Sequence, residues 1–339
     1  MADTDLYLSL NASERAELLD AASRKRGIAV SVMEKDYWVC KTLAVLFRLP
    51  ELSRHLVFKG GTSLSKAYGL IERFSEDVDV SIHREYLGYD RDRDPEAARG
   101  KEQRRLLDHL QKDCQACVRY TVLPAFREKM TELLGDSETW KVDLDPGDPQ
   151  TLLFHYPQAG GPGPSYIVST VRIEFGARSD HWPARTQAIT SYLTETLERP
   201  LGTAEVNALT PERTFWEKAT LLHAETHRPL EKAMPPRYAR HYYDLFRLAQ
   251  SPVAATALND HALRRRVVEH KSVFFRSAWA RYDLARPPTF RLIPPANRLP
   301  ALKEDHHRME PMFFSTPPPL ETILETLTDL ETRIRTLTR

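Results

Sequence analysis

The sequence predicts an α+β protein with a strand-bearing N-terminal part, residues 1–205, and a mainly helical part, residues 206–339. Three observations lead there. Val78-Asp-Val-Ser-Ile82, Trp140-Lys-Val-Asp-Leu144 and Val171-Arg-Ile-Glu-Phe175 alternate apolar and polar residues, the period of a half-buried strand. Apolar residues recur at helical spacing before and between these segments. From Thr210 onward the chain reads as helices joined by proline-bearing loops, with Pro211 and Glu212 suited to a first helical turn.

Taken in order, residues 11–26 open with Asn11 or Ser13 as cap. Glu14 and Glu17 come early, Arg24 to Arg26 late, and Gly27 is the stop. A second helix is expected over Ser31–Phe47. Leu56 to Phe58 is a short apolar run, followed by Gly60-Gly61-Thr62-Ser63, a helix's length of chain, and then the Asp77-Val78-Asp79 strand. Residues 86–100 are a charged loop. Residues 101–134 read as a long amphipathic helix that Pro124 kinks or splits, its basic side being either a solvated face or a wall for a polyanion. Residues 152–156 form a short strand, 160–164 a glycine–proline loop, and Tyr166 to Phe175 a long strand. Helices follow at 211–224, 237–248 and 261–281. Residues 285–300 are proline-rich, and a last helix over 320–337 carries an apolar stripe that docks on the body or serves a partner.

The whole-chain properties exclude several classes. With 339 residues, 41% hydrophobic and 28% charged, the chain buries a substantial core in one large or two modest domains. Net charge is +1, so any nucleic-acid binding must come from local patches. Cys114 and Cys117 form a C-x-x-C, but no further Cys or His pair completes a zinc site, and the reading is structural. No run is long and apolar enough to span a membrane, and the N-terminus lacks a signal-peptide core; a cytoplasmic protein is expected.

The chemistry concentrates in residues 56–83. On a strand, Asp77 and Asp79 face one way, and two adjacent like charges need a cation between them. Mg²⁺, or Mn²⁺ in its place, takes carboxylate oxygens and shares its remaining positions with phosphates. Gly60 and Gly61 allow backbone N–H groups to approach a triphosphate closely. Taken singly, a Gly-Gly-Thr-Ser run is a turn and a D-x-D is solvated charge; their order and spacing unite them. No Gly-Lys-Ser/Thr follows the glycines, so this is not a Walker A loop.

Phe58-Lys-Gly-Gly-Thr-Ser-Leu64 with Arg73-Phe-Ser-Glu-Asp-Val-Asp79 resembles the first motif of the DNA polymerase β-like nucleotidyltransferases, and more closely the AbiEii/MenT toxin family. Thr62 stands between Gly61 and Ser63, a departure from the motif's second position. Met33-Glu-Lys-Asp-Tyr-Trp-Val39, Thr214-Phe-Trp-Glu-Lys-Ala-Thr-Leu-Leu222 and Arg237-Tyr-Ala-Arg-His-Tyr-Tyr-Asp-Leu-Phe-Arg-Leu248 resemble the family's other motifs. The resemblance implies a mixed-sheet core and a helical C-terminal domain completing the active-site cleft. It implies transfer of an NMP from an NTP, with tRNA the first acceptor and an antitoxin as partner. Asp77 and Asp79 would hold metal. Glu174 is the expected third carboxylate, with Asp143 its competitor. Gly60, Gly61, Thr62, Ser63 and Lys66 would bind nucleotide, and Lys218, oriented by Asp244, would contact phosphates, unless it is a snorkelling surface lysine. Lys35 and Asp36 are either a surface ion pair beside an aromatic anchor or part of the pocket wall. Arg237, Arg240 and the run Arg264, Arg265, Arg266 are the expected RNA contacts. An acceptor of protein or small molecule, a metal-dependent nuclease, and a non-catalytic RNA-binding scaffold are the alternatives.

Overall fold

The computed structural model of the chain describes residues 5–160, 168–199 and 201–337. The chain forms two compact units, Met1–Ala67 with Phe74–Leu209, and Tyr68–Arg73 with Thr210–Arg339. Most of the expected glycine–proline loop and the start of the strand expected from Tyr166 lie outside the described residues.

The first unit is built on a seven-stranded mixed sheet of order β3-β4-β5-β2-β1-β7-β6. Its strands are β1 Leu56–Lys59, β2 Val78–Ile82, β3 Lys141–Asp145, β4 Asp148–His155, β5 Thr170–Gly176, β6 Ala184–Thr190 and β7 Thr203–Leu209. β2 runs parallel to β5 and β1 parallel to β7, while the other neighbours are antiparallel. β7 carries the sheet to Leu209, beyond the boundary expected at residue 205, and Ala204, Val206 and Ala208 alternate along it, buried. β6 packs little apolar surface, with only Ile189 buried, which explains its weak signal in the sequence.

Helices α1 Leu6–Ser9 and α2 Ala12–Arg26 precede α3 Val30–Leu46. At the start of α2, Asn11 and Glu14 exchange side-chain and backbone hydrogen bonds, and Gly27 ends the helix at a φ of 71°. α3 is buried on nearly every side and packs on β5 and β7 as well as on α2 and α7 (Tyr192–Leu197), with α4 (Gly60–Lys66), α5 (Gly100–Cys117) and α6 (Leu123–Leu134) lying between in sequence. The long amphipathic helix is continuous: a π-helical turn over Val118–Val122 joins α5 to α6 immediately before Pro124. Proline lacks an N–H and its ring crowds the preceding turn, and the wider turn relieves both. Cys114 and Cys117 are free, buried thiols in this helix's apolar side, and burial pushes Cys114 up to about 12.

The second unit holds α8 Pro211–Thr226, α9 Ala239–Ala249, α10 Pro252–Asn259, α11 His261–Phe274, α12 Leu299–Arg308 and α13 Leu320–Thr336. α9 packs against α8, α10, α12 and α13. The stripe Ile323, Leu327, Leu330 and Ile334 of α13 is buried, so it docks on this unit. Asp305 accepts from the backbone N–H groups of Arg237 and Ala239, both at 2.7 Å, and fixes the start of α9. α11 stops at Phe274, well short of the expected residue 281, and Phe275 beyond it is exposed. Among the described residues no helix is long and apolar enough to cross a membrane.

Candidate active site

The close approach at Gly60 organises the site. Gly60 has a φ of +81°, and a Cβ placed there would lie 2.0 Å from Asp79 Oδ2 and 2.7 Å from Asp79 Cγ. Both the left-handed backbone and the carboxylate lying against it require glycine. The Thr62 hydroxyl donates to the Asp77 carbonyl at 2.5 Å and can accept from the Ser75 hydroxyl at 2.9 Å, and Ser63 Oγ donates to the Gly60 carbonyl at 3.0 Å. Both side chains are buried. The Thr62 hydroxyl therefore fastens the turn to the segment carrying Asp77, the Ser63 hydroxyl closes the turn on itself, and the phosphate-facing capacity of this stretch resides in its backbone.

Register brings the third carboxylate in. Asp79 on β2 stands opposite Glu174 on β5 and opposite Lys59 on β1. Burial raises the Glu174 carboxyl above its ordinary range, and the neighbouring Asp79 and Asp77 raise it further. Asp143 sits on β3, opposite Leu153, which in turn stands opposite Arg172. Three strand spacings separate β3 from β2, about 14 Å in all, and Asp143 is exposed beside Lys141 at 3.3 Å. Of the two competitors, the structure sets Glu174 next to Asp79. Two cations not anticipated from the sequence flank the acids: Lys59 Nζ lies 3.8 Å from Asp79, and Arg172 Nε lies 3.6 Å from Glu174 while bonding Asp145 at 2.7 Å.

α3 holds both ends of this segment. Lys35 reaches Glu76, next to Asp77, at 2.5 Å and the Val168 carbonyl at 2.9 Å. Asp36 pairs with Lys66 at the end of α4 at 2.8 Å and accepts from the Tyr192 N–H at 2.6 Å. The surface-ion-pair expectation for Lys35 and Asp36 is corrected: both are buried, because each finds a buried counter-charge from the signature segment. The expected nucleotide contact Lys66 is likewise buried. Its ammonium lies over the Tyr192 ring at 3.7 Å, and although burial disfavours its charge, Asp36 raises its pKa. Lys66 is thus committed to Asp36.

In the helical unit, Lys218 Nζ pairs with Asp244 at 2.8 Å, and Arg73 grips the same carboxylate with two bonds of 2.8 and 2.9 Å. Burial alone would raise the Asp244 pKa, but Arg73 and then Lys218 hold it well below the carboxylate range. Burial lowers the Lys218 pKa, with Asp244 opposing and Arg73 and Arg240 reinforcing. Lys218 is only 7% exposed, so it does not snorkel. Nothing in the sequence marks Arg73 for this role, because its place between the glycine turn and D-x-D does not show that residues 68–73 join the helical unit. The arginine run does not form one face, since successive helical residues point about 100° apart. Arg264 is buried, Arg265 exposed and Arg266 intermediate, while Arg237 is exposed and Arg240 intermediate.

Hard carboxylate oxygens suit a divalent cation, and the crowding that raises Glu174 marks negative charge short of compensation. Among the described residues, no group of three or more His, Cys, Asp or Glu side chains is arranged to hold a metal ion. Asp79 and Glu174 fit such an ion as neighbours in register, with Asp77 immediately before β2 and near enough to raise Glu174, and phosphate oxygens are the natural complement.

A family model described as nucleotidyl transferase AbiEii toxin, type IV TA system, matches residues 43–326. Among solved structures, the chain is similar to MenT4, a nucleotidyltransferase toxin from Mycobacterium tuberculosis H37Rv. The TM-score is 0.53 at 17% identity, covering 94% of this chain and 90% of that one. JHP933 from Helicobacter pylori is matched more loosely, with a TM-score of 0.34 and 13% identity over 88% of this chain and 94% of that one. No curated protein sequence matches. The glycine turn, the D-x-D strand and the mixed sheet agree with a family model that spans most of its length: the chain belongs to the AbiEii family of nucleotidyltransferase toxins of type IV toxin–antitoxin systems.

Proposed function

We propose that this nucleotidyltransferase moves an NMP from an NTP to the 3′ end of tRNA, releasing pyrophosphate, in a Mg²⁺-dependent reaction that Mn²⁺ also supports. The observation carrying the reading is the register Asp79 opposite Glu174, with Gly60 held against the Asp79 carboxylate. Asp77, Asp79 and Glu174 hold the metal, which supplies a Lewis acid for the reacting phosphoryl oxygens. Glu174 also takes the proton of the acceptor hydroxyl. The backbone around Gly60 and Gly61 receives the β- and γ-phosphates, and Lys59 offsets their charge. Within the helical unit, Asp244 orients the Lys218 ammonium while Arg73 fixes that carboxylate from its other side. The family implies a cognate antitoxin, and the substrates place the reaction in the cytoplasm.

The acceptor reading rests on the family resemblance and on the local basic residues Arg237 and Arg240, since the chain's net charge of +1 supplies no general attraction. The test is incubation of the protein with each labelled NTP, Mg²⁺ and total RNA, followed by separation of RNA from protein. Label on full-length tRNA, removable by 3′ exonuclease, is expected. Label confined to protein or to a small molecule would overturn the tRNA reading and leave NMP transfer standing.

A further inference from the structure

A cavity of about 300 Å³ opens between α11 and the segment that follows it, lined by Arg264, Arg265, Glu269, Tyr282, Asp283 and Arg286. Arg264 is 4% exposed, and its Nη1 is buried without a hydrogen-bond partner. None of the three lining arginines makes an ion pair with a described residue. Two acids also line the cavity, but neither makes an ion pair with Arg264, and Asp283 is gripped by Arg281 through two bonds of 3.1 and 3.0 Å. An unpaired buried guanidinium is costly, and it is tolerated where an anion completes it. Burial and the adjacent Arg265 depress the Arg264 pKa, as expected of a charge without a counter-ion.

We propose that this cavity is a phosphoryl-binding site, separate from the D-x-D carboxylates. The phosphoryl oxygens lie against the buried Arg264, with Arg265 and Arg286 at the rim. Three guanidiniums outnumber the two lining carboxylates, Glu269 and Asp283, the second already held by Arg281, and they match an anion with several acceptor oxygens. The Tyr282 hydroxyl, pushed up to about 12 by burial, stays protonated and is available as a further donor. The cavity is larger than a bare phosphate, and Val268 and Pro287 supply an apolar wall for an attached sugar. The same chemistry comes from a free phosphate or mononucleotide, or from a phosphodiester of RNA.

The test uses the full chain in EDTA, so that divalent-dependent nucleotide binding does not contribute, at constant ionic strength. Inorganic phosphate should raise the parent's melting temperature saturably, because a ligand bound only by the folded state stabilises it. Arg264→Met should abolish the response and should melt above the parent when phosphate is absent, having lost an unpaired buried charge. Arg286→Ala, at an exposed position, should keep the fold and weaken phosphate binding several-fold by calorimetry. A parent without a saturable response overturns the site, as does an Arg286→Ala variant that binds phosphate as the parent does; this holds even if Arg264→Met does not fold. A single-stranded oligoribonucleotide that displaces phosphate from the parent assigns the site to RNA. Phosphate binding indifferent to that oligonucleotide assigns it to a free phosphate or mononucleotide.

Discussion

Replacing Glu174 by glutamine should stabilise the protein while removing its activity, a combination that a merely structural residue would not give. Glu174 stands opposite Asp79 on a neighbouring strand. At the strand spacing of about 4.8 Å, two unit charges repel by about 3.5 kcal/mol at an effective dielectric of about 20, and by about 0.9 kcal/mol in water. The Glu174 side chain is 42% exposed, so the screened value governs and a gain of about 1 kcal/mol is expected. For a unit of this size that is a rise in melting temperature of about 2–4 °C. The sign follows from the raised pKa. The folded state binds the Glu174 proton more tightly than the unfolded state, so its stabilising effect is complete below the ordinary carboxylate pKa. That stability is lost as pH rises through the raised value. Glutamine carries no such loss, so the gain should vanish in acid and be full at neutral pH. Metal-free thermal melts of Glu174→Gln and parent across pH 3–8 provide the assay, with NMP transfer measured on the same preparations. A variant that melts lower than the parent at neutral pH, or that retains transfer, would refute the reasoning.

Gly60→Ala should lose transfer and stability together, from a backbone penalty of about 1–2 kcal/mol plus displacement of the Asp79 carboxylate. Gly69→Ala shares the positive φ but has open space around it, so melts should fall while turnover stays. Asp244→Ala strands Arg73 and Lys218 in the interior and should cost about 3–5 kcal/mol in denaturant melts. Lys218→Ala should cut turnover by roughly 10²–10³ while leaving metal binding by the carboxylates intact, as read by calorimetry; turnover within about twofold of the parent would return Lys218 to a purely structural role.

The alternation in Val78–Ile82 and Val171–Phe175 exposed β2 and β5, and with them Asp79 and Glu174, because period-two burial is written locally in the residues. Strand order is not local. The choice between Glu174 and Asp143 needed the register that sets β5 beside β2 and β3 two places further away. The choice between a surface and a buried place for the α3 charges needs the fold for the same reason. Lys35 and Asp36 resemble surface residues until Glu76 and Lys66 arrive from a distant stretch to neutralise them. β6 left little trace, since a strand with one buried side chain has little apolar pattern to read. The arginine run looked like one patch in the sequence, whereas helical geometry sends Arg264 inward and Arg265 outward.

The most direct measurement is transfer of label from NTP to RNA by Asp79→Ala and Asp143→Ala, beside the parent at equal concentration and with matched melting curves. Loss of transfer in Asp79→Ala with transfer kept in Asp143→Ala is the predicted result, since β2 and β3 lie three strand spacings, about 14 Å, apart across the sheet. Equal labelling by Asp79→Ala and the parent would contradict the placement of the nucleotidyl-transfer site on this strand.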